Sequence, residues 1–503
     1  MTAQPVDPVI DETSPVSLPY ERWFLVAILI LGVALRLHHI TKPLGDHHSW
    51  RQTQTAMIAA NLYLDGLNLW SPRVDFYCTE MCSETGLLVL EFPLYNALVA
   101  LLYKIFGLHE FVGRLVSIAF STLAALLLYR LARRISGPPV ALFAAMYFVL
   151  SPISVFYGRA FMPESLMLCA GIGALLYFYD WLQDERGTTF IIAAIFAITA
   201  FVVKFPMIHI VIPMTYMAWA KHGRAVFRKK ALALFLTLFL LPSAVWLYHS
   251  ATSPNLDMSW LLSDVRLLRG KDLYRIMWER LGQDVLTSVG RGLFLLGLLL
   301  GLRKTEERVL DVWLGAAILY VLAVGMGNIV HDYYQLPLVP IAAIYIGKAI
   351  SCLPQLPLRR FVWLPLMALL IIATGAESRR IVKPWYGEDI AGLYQFAETV
   401  KRTIPQGPPI MVSSSYVSFA PWDPRLLYAF RRKGWNIRPT SLRQSLEQPH
   451  NRKARHLVIY PTDGLDPALI AHLLTRYPIV AVQKTHMTGM VFDLGPLETQ
   501  TQR

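Results

Sequence analysis

Charged residues are scarce in this sequence. Only 16% of its 503 residues are Asp, Glu, Lys or Arg, whereas 55% are hydrophobic, and the mean hydropathy is +0.43. This balance excludes an ordinary soluble globular protein. It indicates an α-helical polytopic membrane protein.

Cysteine is also rare, with four in the chain. Cys169 and Cys352 lie in or beside apolar segments and are expected to pack there. Cys78 and Cys82, in "YCTEMC", fall in a loop predicted to lie outside the cytoplasm, where a disulfide is allowed, and an unbridged pair is the alternative. A metal pair is less favoured, because no histidine pair flanks them at ligand spacing.

Motifs of several function classes are missing. Residues 385–503 contain neither a Gly-rich phosphate loop nor a nucleophile elbow, and nothing in the chain resembles a nucleic-acid-binding module. The formal charge of +13 comes largely from Lys and Arg clusters between apolar segments and from a basic stretch at 425–455. This charge therefore indicates membrane topology and contact with anionic lipid.

Long apolar runs are abundant. The first, "WFLVAILILGVALRL", follows a polar tail (1–22) and lacks a small-residue cleavage site, which predicts an uncleaved helix. A transmembrane domain is predicted over 23–380, with about eleven spans near 23–39, 111–132, 138–156, 164–182, 188–203, 205–220, 231–249, 285–302, 309–327, 332–351 and 361–376.

Basic clusters predict the orientation of these spans. Counting spans puts the clusters at 130–134, 221–230, 303–308 and 358–360 on one side, which the positive-inside rule makes cytoplasmic. The N-terminus is then cytoplasmic, and the C-terminus lies outside, in the periplasm of a bacterium.

This count requires that residues 92–107 do not cross the bilayer. Their apolar core is short for a span, so we expect a helix lying in the membrane interface, within a first outer loop at 41–110. A second helix is expected to start near Trp50, because Ser49 and Gln52 have the spacing of a capping box. After the last span, residues 385–503 alternate short strand and helix patterns, which predicts a small periplasmic α/β domain.

Polar residues occur at four places on the predicted outer side. Asp46 precedes the helix at Trp50, where the helix terminus and Arg51 would favour its ionised form. Arg159 and Glu164 lie in a short loop, where a salt bridge between them is the alternative to a functional role. The other two places are Lys204, for which snorkelling is the alternative, and the segment His331, Asp332, Tyr333 and Tyr334.

Polar clusters that converge on one membrane face suit an amphiphilic substrate with its head at the interface and its tail in lipid. A lipid-linked phosphosugar has that shape. Cleaving its sugar–phosphate bond requires cations for the leaving phosphate, and one carboxylate can activate the acceptor.

Over about residues 20–350 the sequence resembles the GT-C membrane glycosyltransferases, among them the protein O-mannosyltransferases and the bacterial lipid A aminoarabinose transferase. The resemblance is carried by "GDHHSWRQTQTA" with its acidic residue after the first span, "PRVDF", "EFPLYNALVALLYKIFG", "RLVSIAFSTLAALLLYRLARR", "GRAFMPE" and "YYQLPLVP".

The resemblance implies that Asp46 is the catalytic acidic residue of the first outer loop and that Glu164 occupies a second acidic position. Arg114 and Arg159 match basic positions of the active-site region. Relatives often have Lys or His before the proline of the interfacial helix, where this chain has Phe92, so Lys204 or Arg51 is expected to bind the phosphate. Asp46 is followed by His47, not by the second acid of some relatives, which favours a glycolipid or polysaccharide acceptor over a protein.

The sequence therefore predicts an inverting hexosyl or pentosyl transferase of the bacterial inner membrane that uses a polyprenyl-phosphate sugar. A flippase for a lipid-linked saccharide is the alternative, and a non-catalytic assembly or sensor protein is a third. His331, Tyr333 and Tyr334 are further candidates for substrate contact. The sequence leaves metal dependence open: Asp46, Glu164, His47 and His331 include ligand types for a divalent metal, and a lysine-assisted site without metal is equally consistent.

Overall fold

The computed structural model describes residues 20–77, 85–253, 265–301, 307–355, 360–387, 390–416, 420–447, 454–484 and 487–495. Cys78 and Cys82 lie outside these residues, and the disulfide predicted there stays a prediction.

Helices dominate the described residues up to Val382. The α-helices of this part are α1 (Glu21–Arg36), α2 (Ser49–Leu64), α3 (Leu94–Phe106), α4 (Glu110–Ser136), α5 (Pro138–Leu150), α6 (Pro152–Tyr157), α7 (Glu164–Asp184), α8 (Gly187–Val203), α9 (Val211–His222), α10 (Lys230–Thr252), α11 (Val265–Arg269), α12 (Lys271–Arg280), α13 (Thr287–Gly301), α14 (Arg308–Ala323), α15 (Gly325–Val330), α16 (Leu338–Cys352) and α17 (Arg360–Val382). Short 3₁₀ segments include Phe205–Ile210 and Asp332–Gln335, and Leu281–Val285 is a π-helical turn.

Four described segments are long and apolar enough to cross a membrane, namely Glu110–Ser136, Glu164–Asp184, Lys230–Thr252 and one starting at Val362. The pair Lys271–Val285 and Thr287–Leu300, bent by 104°, makes a fifth if it is one broken span. Shorter apolar helices, including α5, α8 and α16, accompany them. The protein is thus a helical membrane protein, and the number of eleven spans stays a prediction.

Helix α3 occupies the place predicted for the interfacial helix. Its 13 residues measure about 20 Å at 1.5 Å per residue, which is short of the ~30 Å hydrocarbon core. One face, with Tyr95 and Val99, is buried, whereas Leu101 and Ile105 are exposed. A helix with one buried and one exposed apolar face suits a position at the membrane surface.

A six-stranded sheet follows the helical part. Its strands are β1 (Phe76–Tyr77), β2 (Ile410–Ser413), β3 (Gly434–Asn436), β4 (His456–Ile459), β5 (Ile479–Lys484) and β6 (Thr488–Asp493), in the order β1-β3-β2-β4-β6-β5. Strands β1, β3, β2 and β4 are parallel to one another, and β6 runs antiparallel to β4 and β5. Helices α18 (Ala391–Thr403), α19 (Arg425–Phe430), α20 (Leu442–Leu446) and α21 (Pro467–Arg476) complete this part.

The edge strand β1 comes from the first outer loop, which joins that loop to the sheet. Phe76 pairs with Gly434, and the backbone N–H of Gly434 donates to the carbonyl of Asp75 at 2.9 Å. Tyr428 also donates a 3.0 Å hydrogen bond to Glu110, the first residue of α4. The sheet is therefore built from two distant parts of the chain and is attached to the helices.

Candidate active site

Asp46 lies between α1 and α2 and is held by three side chains. Its Oδ2 lies 2.8 Å from Nη1 of Arg159 and 3.7 Å from Nη2 of Arg114, and its Oδ1 accepts a 2.8 Å hydrogen bond from Gln52. The residue is 7% exposed. The prediction that Asp46 faces Arg51 is wrong, because Arg51 turns the other way and pairs with Glu91.

The two arginines at Asp46 are completely buried. Arg114 donates to backbone carbonyls of the segment after α1, including that of Ile40 at 2.9 Å, and Arg159 donates to the carbonyl of His39 at 3.2 Å. The Arg159 guanidinium also lies 5.1 Å from the ring centre of Tyr386. These contacts fix the loop that carries Asp46.

Gln52 has a role that differs from the predicted capping box. Helix α2 does begin at Ser49, but His48 precedes it with φ 53° and no side chain caps its terminus. Gln52 instead donates to Asp46 and to the carbonyl of His47 at 2.9 Å, and its Oε1 accepts the N–H of Phe161 at 3.1 Å. It thereby connects the Asp46 loop to the loop between α6 and α7.

Lys204 lies between α8 and the following 3₁₀ segment, next to two carboxylates. Its Nζ is 3.1 Å from Oε1 of Glu164 and 3.4 Å from Oε1 of Glu91, and the residue is 9% exposed. Snorkelling is therefore wrong for Lys204, which is buried and paired. The alternative pairing of Arg159 with Glu164 is also wrong, because Arg159 binds Asp46.

Arg51, Glu91, Lys204 and Glu164 form a single group, here called the lysine cluster. Arg51 contacts Glu91, which contacts Lys204, which contacts Glu164. Two cations and two anions make its formal charge zero. Burial raises the pKa of Glu91, but Arg51 and Lys204 outweigh burial and lower that pKa to about 2. Glu91 is therefore ionised at neutral pH.

A small cavity borders the lysine cluster. Glu164, Lys204, Tyr333 and Tyr334 line it together with Met167, Pro206, Tyr320 and Pro337. Lys204 Nζ lies 5.6 Å and 5.9 Å from the ring centres of Tyr333 and Tyr334. Oε2 of Glu164 is buried and has no hydrogen-bond partner among the described residues, although Oε1 faces Lys204. The cavity thus contains a cation, a carboxylate with spare hydrogen-bonding capacity, and apolar walls.

A second small cavity borders the Arg51–Glu91 pair. Both residues line it, with Thr55 and Asn96 as further polar groups and Ile58, Pro72, Leu88, Leu90, Pro93 and Pro163 as apolar ones. The lysine cluster therefore borders two spaces at once.

Asp332 lies at the other end of the site, between α15 and α16. Its carboxylate is 2.9 Å from Nε2 of His47 and 2.8 Å from Nε2 of His48, and it accepts a 2.5 Å hydrogen bond from Tyr157. Burial and then His48 lower the pKa of the neighbouring His331 to about 3, which makes that imidazole neutral at pH 7.

The four metal-ligand types predicted from the sequence do not form one set. Among the described residues, the group whose ligand atoms lie within 4.8 Å of one another is His47, His48 and Asp332. Asp46 and Glu164 belong to different clusters.

Several residues of the site were missed or left without a role in the sequence. The sequence pattern predicts a capping role for Gln52 and gives Glu91 no role. Tyr157 directly precedes the "GRAFMPE" motif but is not part of it, and Tyr386 follows an apolar run with no motif around it. Tyr386 ends the 3₁₀ segment Lys383–Tyr386, which follows α17.

Comparisons with known proteins agree with this architecture. A family model described as dolichyl-phosphate-mannose-protein mannosyltransferase matches residues 91–249. The structure of ArnT from Cupriavidus metallidurans bound to undecaprenyl phosphate is 13% identical, with a TM-score of 0.59 over 96% of this chain and 99% of that one. The chain has the GT-C fold.

Two further structures share the GT-C fold. The Archaeoglobus fulgidus oligosaccharyltransferase is 12% identical, with a TM-score of 0.59 over 87% of this chain and 69% of that one. The mycobacterial arabinofuranosyltransferase AftD is 14% identical, with a TM-score of 0.61 over 96% of this chain and 40% of that one. A search by sequence among curated proteins finds no match. At these identities the likeness concerns the fold.

Proposed function

We propose that the protein is a glycosyltransferase that moves a hexosyl or pentosyl group from a polyprenyl-phosphate donor to a glycolipid, polysaccharide or protein acceptor. The reaction takes place at the outer face of the bacterial inner membrane. The GT-C fold and the mannosyltransferase family model support this class of reaction. The observation that carries the proposal is the buried Lys204 between two carboxylates at the wall of an apolar cavity.

The lysine cluster is suited to a phosphate that arrives from the membrane. In the free protein Lys204 is neutralised by Glu91 and Glu164. A donor phosphate would compete for its ammonium group and offer oxygens that suit charge-assisted hydrogen bonds. Arg51, already paired with Glu91, supplies a second cation next to it. The apolar lining of Met167, Pro206 and Pro337 suits the hydrocarbon beside the phosphate.

Of the two predicted acids, Glu164 is the better placed to take the acceptor proton. Both oxygens of Asp46 already accept strong contacts, from Arg159 and Gln52, whereas Oε2 of Glu164 has no partner among the described residues. Displacement of Lys204 by the phosphate would also free Oε1. The carboxylate would then receive the proton as the acceptor oxygen attacks the anomeric carbon and the phosphate leaves as an anion.

Asp46, Arg114 and Arg159 then act as positioning residues. Arg114 and Arg159 are fully buried and donate to Asp46 and to carbonyls after α1, and of their nitrogens Nε has no partner among the described residues. Asp46 remains the alternative base. Tyr333 and Tyr334 contribute cavity walls and cation–π contact with Lys204, and His331 stacks on Tyr333 at 5.0 Å.

The proposed topology has residues 1–22 in the cytoplasm, 23–380 in the membrane domain and 385–503 in the periplasm. Pairing of β1 with β3 supports part of this, because a strand of the first outer loop can join the C-terminal sheet only if both lie on one side. The loop at 41–110 and the C-terminal domain would therefore share the outer face.

The purified protein in liposomes with a radiolabelled polyprenyl-phosphate sugar tests the function. Release of polyprenyl phosphate with transfer of label to an acceptor extract is the expected result. Movement of intact donor across the bilayer without its cleavage would identify a flippase. If neither transfer nor movement of the donor occurs, the result would indicate an assembly or sensor protein.

A further inference from the structure

Two consecutive histidines and a distant aspartate meet beside the Asp46 loop. Nε2 of His47 lies 2.9 Å from Oδ2 of Asp332, and Nε2 of His48 lies 2.8 Å from Oδ1. The histidines precede α2, whereas Asp332 follows α15. Both imidazoles therefore present the same ring nitrogen to one carboxylate, and none of these groups belongs to the lysine cluster.

We propose that His47, His48 and Asp332 form a binding site for one divalent transition metal of the zinc class. Two imidazole nitrogens and a carboxylate oxygen are a ligand set for zinc and related ions, whereas magnesium and calcium prefer oxygen ligands alone. Three protein ligands leave a fourth position of a tetrahedral ion for water or another oxygen donor.

The distances fit this ligand set after a small adjustment. Ligand atoms about 2.0–2.1 Å from a tetrahedral ion lie roughly 3.3 Å from one another. The nitrogen–oxygen separations of 2.9 Å and 2.8 Å are slightly shorter, so a small outward rotation of the rings would admit the ion. In the structure the same atoms lie within hydrogen-bonding distance of each other.

Neighbouring groups orient the carboxylate as outer-shell partners do in metal sites. Oδ1 of Asp332 accepts hydrogen bonds from Tyr157 at 2.5 Å and from the N–H of Tyr333 at 2.8 Å, which leaves Oδ2 as the less occupied ligand atom. The ring of His47 stacks on Trp385 at 5.2 Å.

A bound metal would fix the relative position of two parts of the active site. His47 follows Asp46 in the chain, and Tyr333 of the Lys204 cavity follows Asp332. An ion bound by His47 and Asp332 would therefore fix the Asp46 loop relative to the cavity wall. This positioning role does not depend on the transferase proposal, since it concerns the distance between two segments of the protein.

Metal content of the full-length protein in detergent tests the site. The protein, purified by a tag without histidine, is stripped with chelator, incubated with Zn²⁺ and dialysed, and zinc is measured by plasma mass spectrometry. About one zinc per chain is expected for the wild type, and His48→Gln and Asp332→Asn should each weaken binding by at least about tenfold. His249→Gln is the matched control, because His249 bonds to the carbonyl of Trp70 in a separate aromatic group, and it should retain the zinc.

Co²⁺ added to the stripped wild type gives a readout that needs no variant. Visible absorption of tetrahedral cobalt, removed by competing Zn²⁺, is expected. Stripped protein that takes up neither ion would overturn the proposal, as would unchanged binding in well-folded His48→Gln and Asp332→Asn or equal loss in His249→Gln. If the protein transfers sugar but binds no metal, the metal site is rejected and the proposed function stands.

Discussion

The ammonium group of Lys204 lies 3.4 Å from Oε1 of Glu91, the residue that precedes Phe92 in the chain. Phe92 occupies the position before Pro93 where relatives of the GT-C glycosyltransferases often have Lys or His, and its own ring packs against Trp246 at 5.0 Å. The N–H of Phe92 also donates to the carbonyl of Val202 at 2.9 Å, which attaches this segment to the end of α8. A lysine from a different part of the chain thus brings a cation to that neighbourhood.

Lys204→Gln should weaken donor binding. Loss of one charge-assisted contact to phosphate corresponds to roughly ten- to a hundredfold in affinity. The affinity is measured as binding of polyprenyl phosphate to the detergent-solubilised protein. Lys348→Gln is the control, because Lys348 is also buried and lies 2.6 Å from Glu307, but outside the donor cavity. An equal loss in both variants, or none in Lys204→Gln, would contradict the phosphate role.

Sequence reasoning located the groups of the site better than their pairings. Asp46, Arg159, Glu164 and Lys204 were each singled out because a charge near an apolar run is costly and so needs a reason. Which charge meets which depends on how helices pack, and hydropathy does not contain this. Asp46 consequently pairs with Arg159 and not with its sequence neighbour Arg51.

The fold was predictable where an element was long enough to show a period. Helix α3 and the longer strands of the sheet occur where the apolar patterns predicted them, such as β4 and β5. Strand β1 has two residues and β3 has three, too few for alternation to be visible. Apolar runs interrupted by 3₁₀ or π turns, such as the one before α16, also cannot be read as straight spans from hydropathy alone.

Glu91 leads to a pH prediction. Its pKa is lowered from 4.5 to about 2 in the folded protein, so its ion pairs stabilise the fold fully above about pH 4.5, and this contribution is lost as the pH falls towards 2. The full difference corresponds to up to about 3 kcal/mol. Glu91→Gln lacks this contribution, so its Tm in detergent should fall less than that of the wild type between about pH 6 and pH 3.5. Parallel Tm curves for the two proteins would disprove the shift.

Cysteine labelling tests the orientation. In a background without the four native cysteines, Ala471→Cys on α21 should react with an impermeant maleimide added to spheroplasts. Ala225→Cys, in a basic segment predicted to be cytoplasmic, should react only after permeabilisation. Both positions are exposed in the fold, which makes accessibility comparable. The reverse labelling pattern would place the sheet, and with it Asp46, on the cytoplasmic side.

Two glycines in apolar helices provide a matched test of helix packing. A Cβ on Gly297 of α13 would lie 1.8 Å from the carbonyl oxygen of Tyr345 on α16, whereas a Cβ on Gly315 of α14 would meet nothing within 4 Å. Gly297→Ala should therefore force the helices apart and cost about 1–3 kcal/mol. Gly315→Ala should stay within about 0.5 kcal/mol of the wild type. Thermal unfolding in one detergent compares them, and equal Tm values would show that α13 and α16 are not in close contact.

Glu164→Gln and Asp46→Asn separate the two candidate bases. Glu164→Gln keeps the shape of the side chain but cannot take a proton, so transfer should fall by about 10² to 10⁴ while the protein stays folded and binds donor.

Asp46→Asn leaves Arg114 and Arg159 buried without their counter-charge, which should cost about 3–5 kcal/mol of stability and lower the Tm. The activity of Asp46→Asn should therefore fall in proportion to the fraction of unfolded protein. The loss should be smaller at lower temperature, because the substitution destabilises the Asp46 loop and does not remove the proton acceptor. Transfer rate per folded molecule, with folding followed by size-exclusion chromatography, distinguishes the cases. A folded Asp46→Asn protein that binds donor without transferring sugar, together with Glu164→Gln within about threefold of wild type, would assign the base to Asp46.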